Sequence, residues 1–468
     1  MNILEFSNFY FVGIKGVAMT SLAQMLIDAG KTVVGSDVTQ KFVTEKILQD
    51  LQIKIDNFVL PLPSEIDCVV YTAAHQGINN PQVQWAIENN LPVFSQAEAI
   101  ASLFNQKKGI AVCGVGGKST VSAMITWILE YLKQEPSFSV GVGNIPGLEK
   151  TGAWKNKSEY CVAEADEYVI DPSAPQRGEL ITPRFSFLKP YATVCTNLRY
   201  DHPDVYVDFN HTKSVYKAFF QQINPSGYLV VNADDQNLME LVENLEIKKI
   251  SFGENEKADI RLIEYKSELG RTYGKFTYLE ETYDLELQIP GKYNFLNALA
   301  AITVVAPLYP EVLTNNGLNK FRSTARRFEN KGSIKGVHCF DDYAHHPQEV
   351  KAAIQALNEW YPNARKVIAF QSHTYSRTKQ LFPDFVDAFE QAKEVVMIDI
   401  FSSAREKDDS TISSTLLCEA IVNKYPMIKA KNLGSIEKLA DFFNSTLQPG
   451  DVFLTVGAGD IYEVYEKL

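Results

Sequence analysis

The sequence predicts an α/β protein whose parallel sheets are built from successive strand–helix units. Three observations lead to this prediction. Short apolar runs that fit strands alternate with longer runs of helical periodicity along most of the chain. Two strand-to-helix turns, beginning at Gly13 and Gly114, are rich in glycine. The length of 468 residues exceeds what one core normally holds, so we expect two or three domains.

The first segment, which extends to about residue 106, begins with a strand–helix–strand unit. An apolar strand over 10–12 is followed by a glycine turn and by a helix whose apolar residues recur at helical spacing. Gly30 is expected to end this helix, and a second strand ends at Asp37. The runs DCVVYTAA and LPVFSQAEAIASLF continue the alternation, so a nucleotide-binding α/β domain is the simplest prediction.

Two further segments repeat the alternation. In the second, strands are predicted in YCVAEADE, YATVCTNLRYDH and GYLVVNADD, and the polar–apolar alternation of 258–294 predicts antiparallel hairpins. A helix over NFLNALAAITVVAPLY closes this segment. In the third, which begins near FRSTARRFE, the strands GVHCFDDYA, RKVIAFQS, EVVMIDIF and DVFLTVGAG alternate with helices.

Composition and charge exclude several classes of protein. The net charge of -12 and the pI of about 5.2, with both signs mixed along the chain, do not suit a protein that holds DNA or an anionic membrane. No apolar stretch approaches 18 residues, and the first residues, MNILEFSNFYFVG, carry no basic signal region. We therefore expect a soluble cytoplasmic protein that binds no nucleic acid and no membrane. The six dispersed cysteines are interpreted as reduced core residues: Cys68, Cys113, Cys161, Cys195, Cys339 and Cys418.

The turn from Gly13 to Ala18 is an imperfect version of the glycine pattern that binds a diphosphate at a helix N-terminus. Lys15 and Ala18 replace the second and third glycines, while Gly13 and Gly16 remain. Asp37, at the end of the second strand, is placed to bind a ribose hydroxyl. The alternative is a tight turn without a ligand, with Lys15 in solvent.

The stretch AVCGVGGKST over 111–120 carries a more specific signal. Gly114 and Gly117 bend the chain between a strand and a helix, and Lys118, Ser119 and Thr120 follow. A triphosphate requires backbone amides, a cation for the β and γ phosphates and a hydroxyl for Mg²⁺. We therefore predict an ATP-binding loop of the shorter G-x-x-G-K-S form, rather than a flexible turn that contains a lysine.

Two later strand ends fit one Mg²⁺ ion. Glu164 lies near the end of a strand, followed by Asp166 and Glu167, and Asp201 and His202 follow another strand. Because the ends of parallel strands converge at one edge of a sheet, a carboxylate, the imidazole and a hydroxyl of the loop are expected to share the ion. The alternative is that these groups are solvated loop charges.

The third segment has polar residues directly after its apolar strands, in DDYAHHP over 341–347 and QSHTYSRTK over 371–379. Such His, Arg and Tyr side chains favour a site for an anionic substrate, although capped loops without a ligand fit the pattern equally well. His75, His211 and His338 have no such context and are interpreted as ordinary surface or core histidines.

Together these residues resemble the Mur ligase family, ATP-dependent enzymes that form amide bonds in peptidoglycan precursor synthesis. The resemblance covers essentially the whole chain and rests on FVGIKGVAMTSLA, GVGGKST, AEADE, TNLRYDHPD, NADD, GKYNFLNALAA, RRFE, DDYAHHP, FQSHTYSRTK and GAGDIYEV, in the family's order. It implies three domains: a Rossmann-like domain for the UDP-sugar over 1–106, a central P-loop ATPase domain over 107–320, and a Rossmann-like C-terminal domain over 321–468 that binds the amino acid and closes on ATP.

The resemblance also implies roles for individual residues. Lys118, Glu164 and His202 would be the catalytic group, with Lys118 on the β and γ phosphates. Mg²⁺ would be bound by Ser119 or Thr120 with Glu164 and His202. The other implied contacts are Asn294 and Asn297 with adenine, Arg327 and Asp342 with the ribose and phosphates of ATP, Tyr343, His345 and Arg377 with the amino acid, and the turn of Gly13, Lys15, Gly16 and Asp37 with the UDP-sugar.

Within the family, DDYAHHP, HTYSRT and GAGDI favour the reaction that joins L-alanine to the lactyl carboxylate of UDP-N-acetylmuramate through an acyl phosphate. The alternative reaction, slightly favoured by ADEY, attaches a recycled tripeptide to the same nucleotide sugar. Two further hypotheses are a non-catalytic nucleotide-binding relative and, from the first strand–helix–strand unit with Asp37, a nicotinamide-dependent dehydrogenase. A monomer or a homodimer is expected.

Four departures from the family's pattern concern the site. The loop commonly reads G-T-[HN]-G-K-[ST]-T, whereas Val115 and Gly116 stand in its second and third places here. Tyr293 stands where a histidine is usual, the stretch 171–185 carries extra residues, and Lys15 enters the first glycine turn. These departures bear on the amino acid used and on the rate more than on the reaction type.

Overall fold

A computed structural model of the chain describes residues 1–268, 270–402 and 409–468. Within these ranges, helices and three sheets alternate along the chain, which confirms the predicted α/β class. The residues group into two compact units. One unit contains 1–264, 274–285 and 296–321, and the other contains 265–273, 286–295 and 322–468.

The described strands are β1 Asn8–Val12, β2 Thr32–Ser36, β3 Ile55–Asp56, β4 Cys68–Tyr71, β5 Val93–Ser95, β6 Lys108–Cys113, β7 Ser137–Ser139, β8 Gly152–Ala153, β9 Tyr160–Glu164, β10 Ala192–Cys195, β11 Tyr228–Asn232, β12 Lys249–Gly253, β13 Ile260–Glu268, β14 Arg271–Tyr278, β15 Glu281–Leu287, β16 Glu329–Ile334, β17 Val337–Asp342, β18 Lys366–Phe370, β19 Glu394–Ile398, β20 Lys429–Gly434 and β21 Val452–Val456. The α-helices are α1 Val17–Asp28, α2 Glu45–Asp50, α3 Pro81–Glu88, α4 Gln96–Phe104, α5 Lys118–Tyr131, α6 Phe209–Phe220, α7 Gln236–Val242, α8 Lys292–Val305, α9 Pro347–Trp360, α10 Tyr375–Gln380, α11 Phe382–Ala388, α12 Ser414–Lys424 and α13 Ile436–Thr446.

The first sheet has the strand order β3-β2-β1-β4-β5, and its strand pairs are parallel. The strand order reverses beside β1, since β2 lies on one side of it and β4 on the other. Ligands of open α/β sheets bind at such a reversal, outside the carboxyl ends of the strands. The glycine turn between β1 and α1 lies at this point.

The second sheet has the order β15-β14-β13-β12-β11-β10-β6-β9-β7-β8. β6 runs parallel to both of its neighbours, β10 and β9, so the carboxyl ends of these three strands share one edge. β13, β14 and β15 are neighbours, as the predicted hairpins require. Leu279 and Glu280, which connect β14 to β15, both have positive φ, of 49° and 67°, as in the tight turns that favour hairpins.

The third sheet has the order β16-β17-β21-β18-β19-β20, with β16 antiparallel to β17 and the other pairs parallel. Successive residues of β18 alternate between two apolar cores. Ile368 and Phe370 belong to one core, and Val367 and Ala369 belong to the core that contains Leu439. Because both faces of the sheet are buried, its strands appear in the sequence as continuous apolar runs.

The state of the cysteines and the character of the helices can be compared with what the composition predicts. All six cysteines are buried and carry free thiols, which confirms their interpretation as reduced core residues. Within the described ranges, none of the helices combines the length and the apolar character that crossing a bilayer needs.

Candidate functional site

The loop between β6 and α5 has the backbone of a tight phosphate-binding turn. Gly114 and Gly117 have φ values of 119° and 89°, which favour glycine. A Cβ atom on Gly114 would lie 2.3 Å from Thr196 Oγ1, so a larger residue does not fit there. The loop ends at the start of α5, where the first amide groups of the helix lack partners within it and suit an anion.

Thr196 and Asn197, which follow β10, hold this loop from the neighbouring strand. Asn197 Oδ1 accepts hydrogen bonds from the N–H groups of Val115 over 3.0 Å and Gly116 over 3.2 Å. Asn197 Nδ2 donates to Gly116 O over 2.9 Å, and Thr196 Oγ1 donates to the same carbonyl over 2.6 Å. Both residues belong to the motif TNLRYDHPD, but their contact with the loop was not predicted, because the pairing of β10 with β6 cannot be seen in the sequence.

Lys118 is bound by groups of its own chain. Its Nζ donates to Gly114 O over 2.8 Å and to the two carboxylate oxygens of Glu167 over 3.0 and 2.9 Å. Burial alone would lower the pKa of Lys118, but the negative charges of Glu167 and Asp166 outweigh it and hold this pKa above the ordinary lysine range. The carboxylates beside the loop therefore favour the charged form of this lysine.

Ser119 and Glu164 meet where α5 begins beside the end of β9. Ser119 Oγ donates to Glu164 Oε2 over 3.1 Å, and Gly141 N donates to Glu164 Oε1 over 2.6 Å. They meet because Val112 and Glu164 are register partners on β6 and β9. A hydroxyl beside a carboxylate offers the oxygen ligands that Mg²⁺ prefers. Thr120, next along α5, is buried.

His202, in the loop after β10, faces the same carboxylate as Lys118. Its Nε2 lies 3.3 Å from Glu167 Oε1 and 3.7 Å from Asp201 Oδ2. Burial alone would lower the pKa of His202, but Asp201 and Glu167 raise it above the ordinary histidine value. Glu167 thus lies between Lys118 and His202, although nothing in the sequence distinguishes it from Asp166.

The predicted metal ligands are two hydroxyl groups, one carboxylate and one imidazole. In the part of the chain that the structure describes, no group of three or more His, Cys, Asp and Glu side chains is arranged around a possible ion. Ser119, Thr120, Glu164 and His202 fit better an ion that arrives with the phosphates of a nucleotide. Mg²⁺ is usually bound in this way, through one or two carboxylates and the substrate.

The glycine turn after β1 is held by its own charged side chains. Asp37 accepts hydrogen bonds from Lys15 N and Val38 N, both over 2.7 Å, so its carboxylate faces the backbone of the turn. The ammonium of Lys15 donates to Gln40 O over 2.8 Å and lies 3.3 Å from Glu45 Oε2. The alternative with Lys15 in solvent is wrong, because the segment after β2 buries this side chain.

His75 also lies at this turn, which its sequence context does not predict. Its Nε2 is 3.3 Å from Asp37 Oδ1, and a Cβ on Gly13 would lie 3.2 Å from its Cδ2. Gly13 has a φ of 85°. Only the pairing of β4 with β1 brings the loop that follows β4 to the turn. Gly16 directly precedes α1, so the first helical amides point towards the turn.

Four predicted residues of the other unit lie together around the end of β17. Asp342 is the last residue of that strand, and its carboxylate accepts two backbone N–H groups over 2.8 and 2.7 Å. Burial raises the pKa of Asp342 to about 7, although the charge of Arg327 opposes this effect. The guanidinium carbon of Arg327 lies 4.6 Å from the ring centre of Tyr343, and His345 Nδ1 lies 3.1 Å from Tyr343 O.

The remaining predicted residues are placed one by one. Arg377 lies on α10, and its Nη1 donates to the backbone carbonyl of His373 over 3.0 Å. Asn294 is buried near the start of α8 and donates to a backbone carbonyl over 2.7 Å. Asn297, one turn further along α8, lies against the phosphate loop, since its Oδ1 would be 2.7 Å from a Cβ on Gly117.

Arg326, next to the predicted Arg327, is tied into its own unit. Its Nε donates to Asp341 Oδ2 over 3.1 Å, and its Nη1 and Nη2 donate to the carbonyls of Gly459 and Gly457 over 3.0 and 2.6 Å. Of the two arginines in RRFE, Arg326 therefore connects β17 to the segment after β21.

In a comparison with known protein families, three consecutive stretches of the chain each match a Mur ligase model. Residues 8–108 match the family model "Mur ligase family, catalytic domain". Residues 112–305 match "Mur ligase middle domain", and residues 326–459 match "Mur ligase, glutamate ligase domain".

Individual relatives match over the whole length. The UDP-N-acetylmuramate--L-alanine ligase of Clostridium kluyveri is 36% identical over 467 residues, which cover 98% of this chain and 96% of that protein. The ligase of the same name from Caldanaerobacter subterraneus is 34% identical, covering 100% of this chain and 98% of that protein. Among solved structures, UDP-N-acetylmuramate-alanine ligase from Thermotoga maritima matches with a TM-score of 0.80 and 24% identity, over 98% of this chain and 97% of that one. A murein peptide ligase from Psychrobacter arcticus matches with a TM-score of 0.71 and 18% identity, over 99% and 98% of the two chains. At these identities the two structures establish the fold.

Proposed function

Because the chain belongs to the Mur ligase family, we propose that it joins L-alanine to the lactyl carboxylate of UDP-N-acetylmuramate, coupled to cleavage of ATP. It is an ATP-dependent ligase that forms a carbon–nitrogen bond. The observation that carries the proposal is the 36% identity, over 98% of this chain, to a ligase named for this reaction. The dehydrogenase hypothesis is wrong, since the stretch that suggested it belongs to the same family.

We also propose the domain boundaries 1–106, 107–320 and 321–468. The three matched stretches, 8–108, 112–305 and 326–459, support these boundaries, because each falls almost wholly within one proposed domain. A cytoplasmic location and a monomer or homodimer remain predictions; the location is in keeping with ATP and a UDP-activated sugar as substrates.

At the phosphate loop, Lys118 is assigned to the β and γ phosphates, with the amides around Gly114 and Gly117. Support comes from the ammonium that the neighbouring carboxylates keep charged and from the turn at the start of α5. Asn297, which lies against Gly117, is assigned with Asn294 to adenine. Arg327 and Asp342 are assigned to the ribose and phosphates of ATP.

Ser119 or Thr120, Glu164 and His202 are assigned to Mg²⁺. The hydroxyl–carboxylate contact of 3.1 Å between Ser119 and Glu164 fits a hard ion that prefers oxygen. When bound with ATP, the ion supplies charge neutralisation and orientation of the phosphates.

In the proposed reaction, the lactyl carboxylate attacks the γ phosphate, the bond to the β–γ bridging oxygen breaks, and an acyl phosphate and ADP are formed. The amine of L-alanine then attacks the carbonyl carbon of the acyl phosphate, and the amide forms as phosphate leaves. Side chains do little covalent work in such a transfer and act mainly by neutralising charge and aligning groups. Lys118 is suited to this role because its charge is held at the loop and is largely shielded from water.

The remaining substrates are assigned to the two other groups of residues. Gly13 and Gly16 are proposed to present backbone amides to the diphosphate of the UDP-sugar, while Lys15 and Asp37 hold the turn in shape. Tyr343, His345 and Arg377 are assigned to the amino acid.

The proposal is tested by measuring phosphate release from ATP with Mg²⁺ and UDP-N-acetylmuramate, in parallel with L-alanine, glycine, L-serine and the tripeptide L-alanyl-γ-D-glutamyl-diaminopimelate. Release that depends on L-alanine is expected. A preference for the tripeptide would identify the alternative ligase, and nucleotide binding without release in any arm would identify a non-catalytic relative.

Lys118→Ala is expected to lower this release by about 100-fold or more, as for the loss of a group that stabilises transition-state charge. Lys108→Ala is the matched control, because Lys108 lies on β6 before the loop and pairs with the exposed Glu159. If Lys118→Ala behaves like the control, the assignment of the loop is wrong.

A further inference from the structure

The ammonium of Lys118 is saturated by its own chain. An ammonium has three N–H donors. One is directed to Gly114 O at 2.8 Å, and the others face the two oxygens of Glu167 at 3.0 and 2.9 Å. An incoming phosphate oxygen therefore finds no donor of Lys118 unused unless Glu167 yields one.

Glu167 is fixed in this place from two further directions. The hydroxyl of Tyr206 donates to its backbone carbonyl, and Nε2 of His202 lies 3.3 Å from its Oε1. Its side chain is only 3% exposed, and that of Lys118 is 16% exposed. An unpaired charge at such a site is costly, so the ammonium and the carboxylate are held together as an ion pair.

We propose that Glu167 is a positioning residue of the nucleotide site: in the free protein its carboxylate occupies the place on Lys118 that a phosphate group of ATP takes, and it yields at least one contact when the nucleotide binds. This inference rests on the proposed function, since it takes the loop to bind ATP. No bond is formed or broken, because one anion replaces another on the ammonium.

Two consequences follow from such an exchange. Glu167 competes with the phosphate, so it weakens the binding of ATP and ADP. It also keeps Lys118 charged and orients its ammonium towards the loop, and the ion pair between the two side chains can form again when the products leave. Removing the carboxylate should therefore tighten nucleotide binding and slow ADP release.

The test is the dissociation constant of ATP and of ADP, without Mg²⁺, measured by titration calorimetry on the full chain. Glu167→Gln is expected to lower both constants about tenfold, the factor that corresponds to roughly 1.4 kcal/mol. Glu167→Asp keeps the charge but shortens the reach, and should give an intermediate value. If Glu167→Gln does not fold, the dissociation constants of Glu167→Asp alone provide the test.

The matched control is Glu159→Gln. Glu159 also pairs with a lysine, with 2.6 Å between Lys108 Nζ and its Oε1, but it precedes β9 whereas Glu167 follows it. The control removes the same charge and should leave both constants unchanged.

Three results would overturn the proposal. Unchanged constants in Glu167→Gln with a lowered melting temperature would make the pair purely structural. Weaker binding only when Mg²⁺ is present would make Glu167 a metal ligand. If Glu167→Gln binds ATP and ADP more tightly while Glu167→Asp has the same dissociation constants as the unmodified protein, the effect would depend on net charge alone. If the unmodified protein binds no ATP, the proposed function itself fails, and that result is distinct from the other three.

Discussion

The hydroxyl of Ser119, in the first turn of α5, donates a hydrogen bond of 3.1 Å to Glu164 Oε2 at the end of β9. If Ser119 Oγ and Glu164 Oε2 both bind the Mg²⁺ of ATP, removing either oxygen should mainly raise the Mg²⁺ concentration that the reaction requires. We expect Ser119→Ala and Glu164→Gln to raise the Mg²⁺ concentration for half-maximal rate by about tenfold or more. Phosphate release measured against Mg²⁺ at saturating ATP checks this expectation.

Ser122→Ala is the control for that experiment. Ser122 is also buried on α5, and its hydroxyl has no partner among the described residues. Its removal should leave the Mg²⁺ requirement as it is. The metal assignment fails if Ser119→Ala and Ser122→Ala give the same curve.

Asn197 is expected to set the affinity of the loop for ATP, because its amide makes three hydrogen bonds to the backbone of Val115 and Gly116. Asn197→Ala should raise the KM for ATP by roughly tenfold or more, since each lost bond costs about 1 kcal/mol. Steady-state rates at varied ATP measure this change. Asn224→Ala, which removes a turn contact to Ser226 N, is the control. A lower melting temperature of Asn197→Ala with an unchanged KM would contradict this role.

The part of the site that the sequence predicts most directly is encoded in one short stretch. Gly114, Gly117 and Lys118 lie within five residues of each other, and the strand, the turn and the helix start are all visible there. Asn197 is 82 residues from Val115 and Glu167 is 49 residues from Lys118. They reach the loop only because β10 and β9 flank β6, and the order of strands in a sheet depends on packing of the whole chain.

The partners of Lys15 could not be predicted for the same reason. A lysine in a glycine turn is expected in solvent when only its neighbours in sequence are considered. Its ammonium is instead covered by the segment after β2, which supplies Glu45 and the carbonyl of Gln40. The family resemblance predicted the right fold for this segment, but the partners of a charged side chain can be identified only from the three-dimensional structure.

Asp341 should make stability depend on pH. Its carboxylate accepts hydrogen bonds from Arg326 and Thr455, and burial raises its pKa although Arg326 opposes this effect. A native carboxyl with a raised pKa keeps its proton where the unfolded chain has lost it. The free energy of unfolding should therefore fall as the pH rises from about 4, the ordinary aspartate pKa, towards neutrality. Asp342, whose pKa is raised to about 7, acts in the same direction.

Asp341→Asn should remove one part of this decline, because an amide keeps a donor and an acceptor for the same partners but does not titrate. Urea unfolding at several pH values between about 4 and about 7 measures the slope. Asp441→Asn, at an exposed position in the same unit, controls for the loss of one charge. Parallel curves for Asp341→Asn and the unmodified protein would show that Asp341 does not titrate in this window.

Arg377 is expected to determine the affinity for the amino acid. It lies on α10, where its Nη1 donates to a backbone carbonyl over 3.0 Å. A guanidinium that binds the carboxylate of L-alanine contributes about 1.5–3 kcal/mol, so Arg377→Ala should raise the KM for L-alanine by at least tenfold and leave the KM for ATP unchanged. Arg377→Lys should be intermediate, because an ammonium keeps the charge but loses the two-pronged contact. Lys379→Ala is the matched control: Lys379 lies on the same helix and pairs with Asp409 at the surface, 2.9 Å away. An unchanged KM for L-alanine in Arg377→Ala would remove this arginine from the amino-acid pocket, and an equal rise in Lys379→Ala would assign the effect to the helix as a whole.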